Sequence, residues 1–166
     1  MATHRVSFHG LLTPDTSGNV FWQPSSILDT NDLAPSVPVL IFKDTATLDT
    51  AVATVQVPKN YIGTAKIFLR YKTTVTTGNT LWTVDYRAIA ETEAGDPSTW
   101  QESLAGTATA VPGTTNLLKD NSFTLTSANL AVDDTMLIRI GRNGAGADTA
   151  AASLQLVDAV LEYLDA

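Results

Sequence analysis

Residues 65–89, AKIFLRYKTTVTTGNTLWTVDYRAI, alternate in character over two runs separated by a polar Thr/Gly/Asn turn. In the first run Ile67, Leu69 and Tyr71 fall on one side and Lys66, Arg70 and Lys72 on the other, with Phe68 the exception. In the second, Trp82, Val84, Tyr86 and Ala88 oppose Thr83, Asp85 and Arg87. A repeat of two residues sends successive side chains to opposite faces of an extended chain. Both runs therefore predict half-buried β-strands, and the turn between them predicts an antiparallel hairpin. Few chains with such a centre can be anything but an antiparallel β protein.

The rest of the chain agrees. Short strands are predicted at 6–12, 19–22, 39–43, 51–57, 105–111, 121–126 and 136–142, each bounded by Pro, Gly, Asn or Asp. Pro35 and Pro38 argue against a central strand over 29–38. Residues 90–101 read as a long acidic turn and 143–151 as a flexible Gly/Ala turn. The closing segment 154–164 fits two periods: Leu154, Val157, Leu161 and Leu164 a helical stripe, Val157, Ala159, Leu161 and Tyr163 an alternating strand. The strand before it and the short turn favour a strand. Eight or nine strands predict a single-domain antiparallel β-sandwich, jelly roll first. An immunoglobulin-like sandwich is second, since its Cys…Trp…Cys arrangement is absent. The expected organisation is an irregular, Pro-broken N-terminal arm with short strands over 1–35 and the sandwich over 36–166.

At 166 residues the chain can bury a core without staples, and with no Cys it has neither disulfides nor thiolate metal sites. A net charge of −7 is a poor match for wrapping phosphate backbones, so no nucleic-acid partner is expected. No apolar run approaches the roughly 20 residues that cross a bilayer, and the N-terminus lacks a signal-peptide pattern. No membrane partner is expected, and synthesis in the cytoplasm is. Charged residues make up only 16%, below the usual quarter or so. A Thr/Ala-rich sheet surface partly covered by neighbours follows.

The sequence offers little for catalysis. His4 and His9 lie at odd spacing, so a regular strand would part them. There is no metal-ligating His pair, no nucleophile elbow and no phosphate loop. Asp85 sits mid-strand, where an outward partner such as Arg87 or Arg70 is expected rather than glycosidase work. Asp133 and Asp134 suit turn capping. Residues 143–148, NGAGAD, resemble one imperfect unit of a calcium nonapeptide, which needs stacked copies to complete a shell. No catalytic residue, cofactor or metal is expected. Three tryptophans invite a sugar-stacking reading. Trp82, in register with Val84 and Tyr86, is expected in the core. Trp22 and Trp100 are the candidates for contact with a ligand or partner, Trp100 as the exposed aromatic.

Residues 58–89, PKNYIGTAKIFLRYKTTVTTGNTLWTVDYRAI, and 136–163, MLIRIGRNGAGADTAAASLQLVDAVLEY, resemble virion-associated proteins of tailed bacteriophages and prophages. The family pattern is P-x-N-Y-x-G, a polar turn, W-x-V-x-[YF]-x-R, then L-x-R-[IV]-x-R before a closing strand; here Arg87 follows Tyr86 directly, one place earlier than the pattern has it. The resemblance implies a non-enzymatic structural protein of jelly-roll type: a capsid decoration (cement) protein on the virion surface. It would be trimeric and would bind the major capsid protein or another virion protein. A carbohydrate-binding or receptor-binding module of a phage tail or tail fibre is the alternative.

Overall fold

The alternating runs become strands of two antiparallel sheets enclosing one core; the computed structural model describes residues 1–26, 36–93, 95 and 99–165. In chain order they are β1 (Thr3–Ser7), β2 (Thr13–Pro14), β3 (Val20–Ser26), β4 (Ser36–Phe42) and β5 (Leu48–Gln56). Then come β6 (Tyr61–Thr73), β7 (Asn79–Thr80), β8 (Trp82–Ile89), β9 (Glu102–Ala105) and β10 (Thr109–Ala110). The last are β11 (Lys119–Leu125), β12 (Thr135–Asn143) and β13 (Leu154–Asp165). Six strands form one sheet, ordered β11-β6-β13-β4-β3 with β1 also on β13; five form the other, β2-β5-β12-β8-β9. This is the all-β antiparallel sandwich that the alternation predicts.

One expectation about pairing fails. The two runs of 65–89 are not a hairpin: β6 pairs with β11 and β13, whereas β8 pairs with β12 and β9 in the opposite sheet. The predicted faces are nonetheless right, with Ile67, Leu69, Tyr71, Trp82, Val84 and Tyr86 fully buried. A period of two reports which face a strand buries, not which strand lies beside it. Residues 74–81 cross between sheets and are held by a ladder of β7 on β10 and by Thr149 and Ala150 N–H groups on the Asn79 carbonyl. Gly78 turns the chain there at φ +97°, and a β-carbon on it would lie 2.5 Å from the Thr149 carbonyl oxygen.

The double period of the last segment has a structural cause. β13 is one strand, but its register on β6 slips between Leu156 and Asp158. The bulge at Val157 resets the alternation: Leu154 and Leu156 point inward before it, Ala159, Leu161 and Tyr163 after it. A phase change in mid-strand imitates a helical stripe.

Residues 3–26, within the segment expected as an arm, supply three strands to the two sheets, and Phe8, Leu12 and Val20 join the core. The strand predicted over 6–12 lies earlier, at β1, because the chain makes a 3-10 turn at His9–Leu11 that points Phe8 and Leu12 inward. β13 is shared on one edge: Leu154–Leu156 pair with β4 and Val160–Leu164 with β1. Pro38 does lie in a strand, in the part of β4 beyond its pairing with β13, opposite Pro24 of β3. Neither ring nitrogen carries a hydrogen, so this pair sits at a non-hydrogen-bonded site of the ladder. The predicted strand 105–111 divides into β9 and β10 on different partners. Residues 27–35 and part of the acidic turn 90–101 lie outside the described residues.

The largest buried charged side chain among the described residues is Arg142 on β12. Its Nε and Nη2 donate to the two oxygens of Asp148, each at 3.0 Å, and Nη1 and Nη2 donate to the carbonyls of Ala152 and Ala150 at 2.7 Å. Asp148 also accepts the N–H groups of Leu81 and Ala150. The Gly/Ala turn expected to be flexible is thus anchored at Asp148, which neutralises a core arginine instead of binding calcium. Trp82 packs beside this pair's strand, its ring 5.0 Å from Phe42 and 5.5 Å from Tyr71, bridging the two sheets.

Candidate functional site on the outer face of the five-stranded sheet

Strand register builds the outer surface of the five-stranded sheet row by row. Thr13, Val52, Arg139, Asp85 and Ser103 form one row across β2, β5, β12, β8 and β9. Two residues along, Thr54, Leu137 and Arg87 form the next, then Gln56, Thr135 and Ile89. Adjacent strands lie about 4.8 Å apart and same-face residues about 6.7 Å apart along a strand. The rows therefore make a flat lattice of hydroxyls, aliphatic side chains and two guanidiniums.

Trp100 lies on that lattice. The segment leading into β9 runs along β8, with Gln101 N–H on the Tyr86 carbonyl and the Gln101 side chain accepting the Ala88 N–H. This returns Trp100 over the sheet, with the Arg139 guanidinium 4.8 Å from its ring centroid. Asp85 holds the edge of the Arg139 guanidinium: its Oδ2 accepts from Nε and Nη2, both at 2.7 Å. The expected outward partner of Asp85 is therefore neither Arg87 nor Arg70 but the cross-strand Arg139. Asp85 is buried and Arg139 half-buried, so aromatic ring, cation and carboxylate form one fixed stack.

Beside the stack lies a depression of about 410 Å³ lined by Leu11, Thr13, Val52, Thr54, Trp100 and Leu137. A second, of about 620 Å³, continues from Thr54 and Leu137 toward Ile89, Glu91, Asp133 and Thr135. The two share Thr54 and Leu137 and so form one groove, with an aromatic and aliphatic end and a carboxylate end.

Beneath the groove, Tyr86 points inward from β8 and its hydroxyl donates to Glu102 of β9, while Asn129 and the Thr126 N–H donate to it. Burial, reinforced by the Glu102 carboxylate, pushes the Tyr86 hydroxyl up to about 12. Desolvation alone would raise Glu102. The hydrogen bonds from Tyr86 and from the hydroxyl and N–H of Thr126 outweigh it and hold the carboxyl below its ordinary value.

The two candidate tryptophans are not brought together. Trp100 lines the groove, half-buried rather than fully exposed. Trp22 belongs to β3 in the other sheet, packed against the core with His9 edge-on at 4.9 Å, and lines neither depression. His9 bonds the Leu156 carbonyl at 3.0 Å, and burial holds its pKa below the usual value. His4 is paired with Asp165 at 2.7 Å, so the histidines share no site. Among the described residues no group of three acidic or histidine side chains is placed to hold a metal. Trp82 is core, as expected.

No family model and no curated protein matches the chain. Solved structures do. A family 35 carbohydrate binding module from Clostridium thermocellum is similar over 95% of this chain and 97% of its own, with a TM-score of 0.61 at 9% identity. The family 35 module from Paenibacillus barcinonensis matches 95% of this chain and 97% of its own, with a TM-score of 0.51 at 9% identity. The C-terminal family 6 module of LamC from Zobellia galactanivorans matches 98% of this chain and all of its own, at 0.50 and 11%. The likeness is one of fold. It identifies the sandwich as a jelly roll of the kind these modules have.

Proposed function

We propose that this chain is a non-catalytic carbohydrate-binding module whose ligand lies in the Trp100 groove. The observation that carries the reading is the ring of Trp100 fixed over the sheet by the Arg139–Asp85 stack, at the head of a groove floored by Val52, Thr54 and Leu137. Sugar rings offer apolar C–H faces to an aromatic plane and hydroxyls to flanking polar groups, which suits a groove of this composition. The similar solved structures named above are carbohydrate-binding modules, which supports the same reading. Capsid decoration, the first expectation from the phage resemblance, draws no comparable support from either sheet face. A place in a phage tail or fibre remains compatible with a module that binds glycans.

A glycan array followed by calorimetry on the best binder tests the reading. Trp100→Ala should abolish binding while leaving the melting temperature within a few degrees of wild type. A folded wild-type protein that binds no glycan on the array would remove the proposal.

A further inference from the structure

Four of the five arginines are satisfied by carboxylates: Arg5 by Glu162, Arg70 by Asp120, Arg139 by Asp85 and Arg142 by Asp148. The fifth, Arg87, has no acidic partner among the described residues, in a chain whose net charge is −7. Its Nη1 reaches the Thr99 carbonyl and hydroxyl only at 3.4 and 3.5 Å, and its Nε is shielded from water with no acceptor. A half-buried guanidinium whose Nη1 makes only these two long contacts keeps donor capacity that the fold does not use. Its position is informative. Arg87 lines neither depression itself but flanks the groove, in cross-strand register with Leu137, which lines both halves, and its contacts are to the residue next to Trp100.

We infer that Arg87 binds an anionic group of the ligand, and that the glycan carries isolated acidic sugars between neutral ones. This rests on the carbohydrate-binding reading of the same groove. The planar guanidinium offers the paired N–H donors of its two Nη groups, which match the paired oxygens of a carboxylate or a sulfate ester. A uniformly charged polymer does not fit. The far half of the groove presents Glu91 and Asp133, which accept hydrogen bonds from hydroxyls and repel further anions. One negative charge beside Trp100, with neutral sugars running toward Glu91 and Asp133, satisfies both ends.

Binding of wild type, Arg87→Gln and Arg87→Lys is measured on three classes of probe. Hyaluronan oligosaccharides (carboxylate alternating with neutral sugar) and keratan sulfate oligosaccharides (sulfate only) are the mixed probes. Carboxyl-reduced hyaluronan and xylan are the neutral ones, and polygalacturonate and dextran sulfate the uniform polyanions. Wild type should prefer a mixed probe over its neutral counterpart by about tenfold, and over the uniform polyanions. Arg87→Gln should erase that preference while keeping the neutral-probe affinity, and Arg87→Lys should restore part of it. The carboxylate and sulfate arms identify the anion. Equal binding of neutral and mixed probes by wild type, a preference that survives Arg87→Gln, or stronger binding of the uniform polyanions would overturn the inference and leave the glycan-binding reading intact. A folded wild type that binds none of the probes or arrayed glycans would remove both.

Discussion

The two outer faces of the sandwich use the same residue types to opposite ends. On the six-stranded face, register sets Glu162 between Arg5 and Lys66, and Arg70 between Asp158 and Asp120. Arg5 lies over the Phe68 ring at 5.1 Å and pairs with Glu162; Arg70 grips Asp120 with two 2.8 Å bonds. A smaller depression of about 220 Å³ opens there, rimmed by charges already matched to one another. On the five-stranded face the described residues make a single ion pair, Arg139–Asp85, which underpins Trp100, and among them Arg87 is left without a carboxylate. Charge pairing completed within the fold makes a surface; charge left incomplete beside an aromatic makes a site.

Four measurements break or sharpen this contrast. The largest effect lies between the faces, in the buried Arg142–Asp148 pair. Arg142→Met strands a buried carboxylate and should cost about 3–5 kcal/mol of stability, whereas Arg142→Met with Asp148→Leu should recover only part of the loss, since the Ala150 and Ala152 carbonyls and the Leu81 N–H lose these partners. Chemical denaturation of single and double variants reads this, and equal losses in both would show that the pair's geometry is dispensable.

Next come the aromatics. Phe68→Ala on the paired face should lower stability by about 1 kcal/mol and leave glycan binding alone. Trp100→Ala should do the reverse. A binding loss in Phe68→Ala would place the ligand on the wrong face.

Third is acid titration. The Glu102 pKa lies below its ordinary 4.5, so its contribution is fully present above 4.5 and lost as pH falls through the depressed value. Glu102→Gln should therefore flatten the pH dependence of the melting temperature below 4.5. An unchanged slope would mean that the Tyr86–Glu102–Thr126 cluster does not tie β9 to the end of β11.

The smallest effect belongs to the exposed ion pairs. Arg70→Gln should cost under about 1 kcal/mol, and the difference should fade in molar salt. A cost that persists at high salt would argue for packing rather than charge.

The faces were legible in the sequence because alternation records burial directly; even Arg142 shares its phase with Met136, Ile138 and Ile140. That phase was the available signal for a buried arginine. Its partner was not readable: Asp148 stands six residues on, in a Gly/Ala turn whose composition suggests mobility, and the other acceptors are backbone carbonyls. Pairing was illegible for the same reason that the hairpin expectation failed, since β6 and β8 bury equivalent faces in one core from opposite sheets. The groove shows both limits together. Trp100 could be singled out as a contact residue, but Arg139 reaches it only because β12 lies between β5 and β8. Arg87 stands out only after the other four arginines are seen to be paired.

The split edge of β13 also sets how the molecule would respond to a pull. Thr3 pairs with Leu164 and Ser7 with Val160, and the Ala2 carbonyl accepts the Asp165 N–H at 3.1 Å. Tension between residues 2 and 165 would load this ladder one rung at a time, from its open end, rather than all rungs at once. All five residues of β1 are exposed, so only surface contacts such as His4–Asp165 and Arg5–Glu162 share the load until Phe8 reaches the core. The strand should peel like a zipper at low force and then stop abruptly.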